Sequence, residues 1–168
     1  MQWRNIIDQI SSSAPSGDFV ECGTGYGVSA AVLAKNCKQT LHAFDSWEGI
    51  SGISEFDGEY YKKQKWICDF DQAQKYLSNF NNIKYYKGWF PDRFNEVDKK
   101  ISLLHIDASI YTSTKMSLEY FWPRLIVGGH LIVNFHDDIS IGAKKAVYEM
   151  FNENDLQKHE YGIHLIIK

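Results

Sequence analysis

Seven residues near the start of the chain, Glu21-Cys22-Gly23-Thr24-Gly25-Tyr26-Gly27, carry the first chemical signal. Glycines between a strand and a helix let the backbone approach a ligand, and the helix start offers unpaired N–H groups to a polar or anionic moiety. The spacing G-x-G-x-G departs from the dinucleotide fingerprint, whose third glycine would stand where Val28 does. Glu21 adds a carboxylate, which repels a pyrophosphate but can receive an ammonium group. Further on, Asp45 ends a second predicted strand, where an acidic side chain accepts both hydroxyls of a ribose. An ammonium and a ribose together describe S-adenosylmethionine better than a nicotinamide dinucleotide, which stays as an alternative. Thr24, Tyr26 and Ser29 complete the first candidate loop, and Ser46 and Trp47 extend the second. After a third strand, Lys87-Gly88-Trp89-Phe90-Pro91 places Trp89 or Phe90 where a ring can pack on an adenine.

Positioning these groups requires strands that alternate with helices, and the periodicity supplies them. An amphipathic helix and a turn-rich connector fill residues 1–17. Residues 18–168 read as a Rossmann-like core. Strands are predicted at Asp18-Phe19-Val20-Glu21, Leu41 to Asp45, Ile83 to Tyr86, Ile101 to Asp107, His130 to Asn134 and Ile163 to Ile167. Helices are predicted over Val28 to Lys35, from about Cys68, over Thr114 to Trp122 and around Ala143 to Phe151. Ser113 and Thr114 are candidate N-caps, and Gly128-Gly129 a turn. This order predicts a single α/β domain with a doubly wound, mostly parallel sheet. Ser46 to Lys65 is long, polar and glycine-punctuated, the mark of a functional loop.

Composition narrows the function classes. A net charge of -3 gives no clustered basic excess for nucleic acid, so a small-molecule acceptor is expected instead. Cys22, Cys37 and Cys68 are odd in number and widely spaced, which suggests reduced thiols and neither a zinc site nor a disulfide framework. No apolar run reaches the roughly 20 residues of a membrane span, and the N-terminus lacks a signal-peptide pattern, so a cytoplasmic protein with no membrane partner is expected.

Glu21 to Ser29, Phe44-Asp45-Ser46-Trp47-Glu48-Gly49, Lys87 to Asp92, Asp107 to Thr114 and Pro123 to Val133 together resemble the macrocin O-methyltransferase family of class I methyltransferases. The resemblance implies that Glu21 and the glycines hold the methionine part of S-adenosylmethionine and Asp45 the ribose. The family also carries D-G-D-x-Y-x-S-T after the fourth strand and D-D-Y after the fifth, which supply magnesium ligands and a general base. In this chain the first reads Asp107-Ala108-Ser109-Ile110-Tyr111-Thr112-Ser113-Thr114, with Ser109 in the place of the base. The second reads Asn134-Phe135-His136. Asp107 and Asn134 offer magnesium only two ligands, one of them neutral, so any site is weak.

The base then falls to His136, at the carboxyl edge of the fifth strand, with Asp107 beside it. His105 lies inside a strand and reads as a core histidine. The expected activity is O-methylation of a hydroxylated small molecule, a sugar or natural product. The alternative is a protein that binds S-adenosylmethionine or S-adenosylhomocysteine without transferring a methyl group. The segment before the first strand is short for the family, so an open pocket completed by a second copy in a homo-oligomer is a further expectation.

Overall fold

The computed structural model describes residues 2–62 and 66–168. Part of the predicted irregular stretch, 63–65, therefore lies outside the described residues. Helix α1 (Gln2–Ser13) precedes β1 (Phe19–Cys22), α2 (Val28–Asn36), β2 (Leu41–Asp45), α3 (Glu59–Lys62), α4 (Phe70–Tyr76) and β3 (Ile83–Lys87). Then come β4 (Ile101–Ile106), α5 (Tyr111–Phe121), β5 (Leu125–Asn134), α6 (Ile141–Tyr148), β6 (Gln157–Lys158) and β7 (Ile163–Ile167). The strands form one sheet in the order β3-β2-β1-β4-β5-β7-β6. β1 to β5 pair in parallel, whereas β7 runs antiparallel to β5 and β6 antiparallel to β7. This is the expected α/β, Rossmann-like architecture of class I methyltransferases, and the chain departs from β1 and β4 in opposite directions, which opens a crevice at their carboxyl ends.

The apolar faces of the strands explain the layers. Val20, Cys22, Leu104 and Ile106 alternate with Phe19, Glu21, Leu103 and His105, so each strand feeds two cores. Ile7 and Ile10 of α1 and Ala30 and Leu33 of α2 cover one face. Leu118 and Phe121 of α5 and Ala143 and Val147 of α6 cover the other. Burial on both faces is what a parallel sheet requires.

Two boundary differences from the sequence expectation have a visible cause. β5 takes in Gly128-Gly129, because the Gly128 N–H donates to the Lys168 carbonyl at 2.7 Å and the Lys168 N–H to Gly129 at 3.0 Å. That pairing holds a turn-prone sequence in the sheet. Helix α5 begins at Tyr111, so Ser113 and Thr114 sit inside it and are not its N-caps. Ile110, at the cap, supplies no side-chain bond. The Tyr111 N–H is met instead by Asp57 Oδ1 at 2.8 Å, an acceptor 54 residues upstream that no local rule would find.

Away from the crevice, Asp18, just before β1, forms a buried polar cluster. His42 Nε2 lies 2.7 Å from Asp18 Oδ2, its Nδ1 lies 2.8 Å from the Tyr86 hydroxyl, and Lys99 pairs with the same carboxylate. Burial works against the Asp18 charge, yet hydrogen bonds from Lys99, His42 and Thr40 outweigh it and hold the carboxyl low. Burial lowers His42 despite Asp18. Both folded values are depressed, so their stabilisation is complete above the unfolded values of about 6.5 and 3.9 and is lost as pH falls through the folded ones. The urea midpoint should therefore drop as pH is lowered from 7 toward 5, with His42→Gln flattening that segment of the profile. An identical slope in the variant would remove His42 from the cause.

Candidate active site

A cavity of about 820 Å³ occupies the crevice, lined by the segments that follow β1, β2, β3, β4 and β5. One side holds Gly23, Thr24, Gly25, Tyr26, Ser29, Asp45, Ser46, Gly88, Trp89 and Phe90, and the other continues through Asp107, Asn134 and His136. Phe90 also packs toward the core, 5.2 Å from Phe94 between ring centroids, while Trp89 stays partly exposed.

Asp45 organises the first side. Its Oδ2 accepts the Gly25 N–H at 2.8 Å and its Oδ1 the Trp47 N–H at 2.7 Å. Each carboxylate oxygen has a further lone pair, so two acceptor positions remain for a vicinal diol. Burial raises the Asp45 carboxyl, and the Trp47 and Gly25 N–H groups oppose that rise. The start of α2 has no side-chain cap, which leaves its first N–H groups for a ligand. A ribose and a polar amino-acid tail fit this set of donors and acceptors.

Three residues expected in contact with the cofactor lie off the cavity wall. Trp47 is buried beneath it, where its indole Nε1 donates to the Gly25 carbonyl at 2.8 Å. Gly27 turns away from it, and a Cβ there would come within 2.6 Å of Leu77 Cδ1, so close packing and a φ of 85° account for the glycine. Glu21 is fully buried on the α1/α2 side of the sheet, with Oε1 3.0 Å from His105 Nδ1. Neither Glu21 Oε2 nor His105 Nε2 has a partner. Burial works against charge on His105, but the Glu21 hydrogen bond and charge, with Asp107 behind them, hold its value above the usual one. His105 is thus the core histidine the strand position predicts.

At the other side, burial raises Asp107, while His105, Asn134 and His136 oppose it. Asn134 Nδ2 can donate to Asp107 Oδ2 at 3.3 Å. Turned over, the amide is better satisfied: its nitrogen donates to the Tyr161 and Gly162 carbonyls at 3.2 and 3.0 Å, and its oxygen faces the carboxyl. That makes two oxygen donors, and among the described residues no group of three or more His, Cys, Asp or Glu side chains is placed to hold a metal. Near-octahedral magnesium needs more, so this donor set does not make up a magnesium site by itself. His136 lies exposed on the cavity wall, next to a non-glycine residue in the left-handed region, Tyr161, at φ 61° in the neighbouring turn. Ser109 is left-handed too, at φ 65°, a strained position of the kind that clusters at functional sites.

Several wall residues carried no sequence signal. Trp3 reaches in from α1, Met116 from α5, and Cys68 from the segment before α4. Asp57 does not line the cavity, but beyond capping α5 it accepts the Ser54 N–H and hydroxyl at 2.8 Å each, so it ties the 54–57 turn to the start of α5. A D-G pair at Asp57-Gly58 signals a turn and nothing more.

Residues 20–137 match the family model described as a methyltransferase domain, a span that covers most of the chain and includes the glycine loop, Asp45, Asp107 and His136. The chain belongs to this methyltransferase family. It is 22% identical over 150 residues to demethyldecarbamoylnovobiocin O-methyltransferase of Streptomyces niveus, covering 78% of this chain and 57% of that protein. It is 24% identical over 163 residues to a Streptomyces olivaceus enzyme, 8-demethyl-8-(2,3-dimethoxy-alpha-L-rhamnosyl)-tetracenomycin-C 4'-O-methyltransferase, covering 85% of this chain and 61% of that one. The chain thus spans about three-fifths of the length of these curated relatives. Among solved structures, the O-methyltransferase NovP superposes with a TM-score of 0.80 at 19% identity, over 99% of this chain and 79% of its own. In this chain, Asp45→Ala should weaken S-adenosylhomocysteine binding about tenfold or more by calorimetry, since hydrogen bonds to a charged group contribute about 1.5–3 kcal/mol. An unchanged affinity would take the ribose role from Asp45.

Proposed function

We propose that this methyltransferase binds S-adenosylmethionine and methylates a hydroxyl of a small molecule, a sugar or natural product, in the manner of the macrocin O-methyltransferases. One observation carries this reading. A single cavity holds the doubly bonded Asp45 carboxylate and glycine loop on one side, and Asp107 and His136 on the other. The curated relatives support the acceptor class, because their names describe O-methylation in novobiocin and in a rhamnosyl tetracenomycin.

When bound, S-adenosylmethionine supplies a methyl group on a sulfonium: the acceptor oxygen bonds to it, the carbon–sulfur pair stays with sulfur, and the hydroxyl proton needs a base. Asp45 orients the ribose, and the loop with the start of α2 takes the amino-acid tail. Glu21 acts from below the loop, through its buried charge. Gly88, Trp89 and Phe90 bound the adenine side. The residues' main task is to hold the acceptor at near-attack distance and on axis. His136 receives the hydroxyl proton, since it is the imidazole on the acceptor side of the cavity, and Asp107 orients it or the acceptor. Asp107 and Asn134 leave any magnesium site weak, and among the described residues no helix is long and apolar enough to cross a membrane.

The second reading, cofactor binding without transfer, draws on Ser109, Asn134 and Phe135 at positions where the resemblance calls for carboxylates. Calorimetry and turnover separate the possibilities. S-adenosylhomocysteine should bind more tightly than NAD, and the reverse order would overturn the cofactor. His136→Ala should lower kcat by about 10² or more while leaving S-adenosylhomocysteine affinity in place. Full wild-type turnover by that variant would deny His136 the base role, and turnover abolished by a chelator would restore a metal.

A further inference from the structure

Large exposed apolar side chains gather at one rim of the cavity. Tyr60 is 44% exposed and Trp66 54%, and both line the same cavity as Asp45 and Asp107. Ile139, which lines the same cavity, is 37% exposed. Isolated exposed aromatics need no explanation, but a group that continues a ligand cavity outward does.

The Tyr60 side of this rim is anchored from below. The Tyr60 and Trp66 ring centroids lie 6.5 Å apart, and Tyr60 meets Tyr61 edge-on at 5.2 Å. Tyr61 is buried, with its hydroxyl 2.8 Å from Ser140 Oγ, itself buried after β5. Three residues before Tyr60, Asp57 locks the chain to the start of α5, and Phe56 packs on Tyr111 with 4.7 Å between centroids. Trp66 has a left-handed backbone at φ 45°, a costly conformation for a bulky side chain. A mere connecting loop needs neither these buried anchors nor that strain.

We infer that Tyr60 and Trp66 form a platform for a flat apolar ring of the methyl acceptor, next to the part that carries the reacting hydroxyl. The inference rests on the O-methyltransferase reading and adds a substrate class to it: a hydroxylated compound already joined to an aromatic or similarly flat apolar body. The ring attachment must then precede methylation, so the acceptor comes from a reaction that links the two parts.

The test uses protein saturated with S-adenosylhomocysteine, titrated with p-nitrophenyl pyranosides and with the methyl pyranosides of the same sugars. The aryl compounds should bind about tenfold more tightly, in keeping with the energy of an aromatic contact plus its buried area. In the Tyr60→Ala/Trp66→Ala variant that preference should vanish, with S-adenosylhomocysteine affinity retained as proof of an intact fold and cofactor side. No aryl preference in the wild type, or one that survives in the variant, overturns the platform. So does a wild type that is a dimer in ultracentrifugation where the variant is a monomer, which would assign the rim to a second copy of the chain. Failure of S-adenosylhomocysteine itself to bind would instead count against the cofactor reading.

Discussion

The Asp45 carboxylate is the constraint on which the site depends. It stands at the end of β2, and by accepting N–H groups from Gly25 and Trp47 it joins the loop after β1 to the loop after β2. Trp47 closes the ring of contacts by returning its indole N–H to the Gly25 carbonyl. Three hydrogen bonds thus fix Gly25 on both its donor and acceptor sides, and a loop that could otherwise sample many conformations is set before any ligand arrives. Pre-organisation of this kind reduces the ordering cost of binding. The carboxylate is costly to bury, which is why its value rises, and the two backbone donors are what keep it usable.

Beneath that loop, charge is arranged in a column across the sheet. Glu21 and His105 are register partners on β1 and β4, and Asp107 follows two residues after His105. A buried carboxylate and imidazole must pair to be tolerated, and the 3.0 Å contact achieves this while leaving one polar atom on each unsatisfied. Pairing with His105 keeps Glu21 below the glycine loop and off the cavity wall, whereas the sequence predicts direct contact with a ligand. The alternation of β1 makes this unavoidable, because the side chain of Glu21 shares a face with Phe19 and must point into the layer under α1 and α2.

Much of this was legible in the sequence. Apolar periodicity gave strands and helices in the right order, and the glycine loop, Asp45, Asp107 and His136 do meet around one cavity. Sequence pattern and packing diverge where a residue type has two uses. Gly27 satisfies the same pattern as Gly25, yet its positive φ and the contact with Leu77 already require a glycine there. Trp47 belongs to the motif that holds Asp45, but acts as a brace under the wall. The start of α5 was placed three residues late because its cap, Asp57, is remote in sequence, and pairing rules for helix ends see only neighbours. The aromatic rim was visible only as rings in an irregular stretch, since its coherence comes from Tyr61–Ser140 and Asp57–Tyr111, contacts across 79 and 54 residues.

The Asn134-Phe135 pair at the end of β5 has a packing role of its own in three dimensions. Phe135 is not an exposed remnant: it is buried and stacks on His164 at 3.9 Å with 5° between the rings. Its N–H donates to the Gly162 carbonyl at 2.8 Å, and a Cβ on Gly162 would come within 2.4 Å of the Phe135 carbonyl. Asn134 completes the clasp when its amide nitrogen donates to Tyr161 and Gly162. The Asn134-Phe135 pair therefore joins β5 to the turn before β7, and an aspartate at either position would place an anion where a ring or an amide donor is required. The same Gly162 leaves room for His136, since its Cβ would approach His136 Nδ1 within 3.0 Å. The Asn134-Phe135 clasp and the placing of an imidazole on the wall are thus parts of one packing arrangement. This end of the cavity presents the exposed His136 imidazole beside the half-buried Asp107 carboxyl.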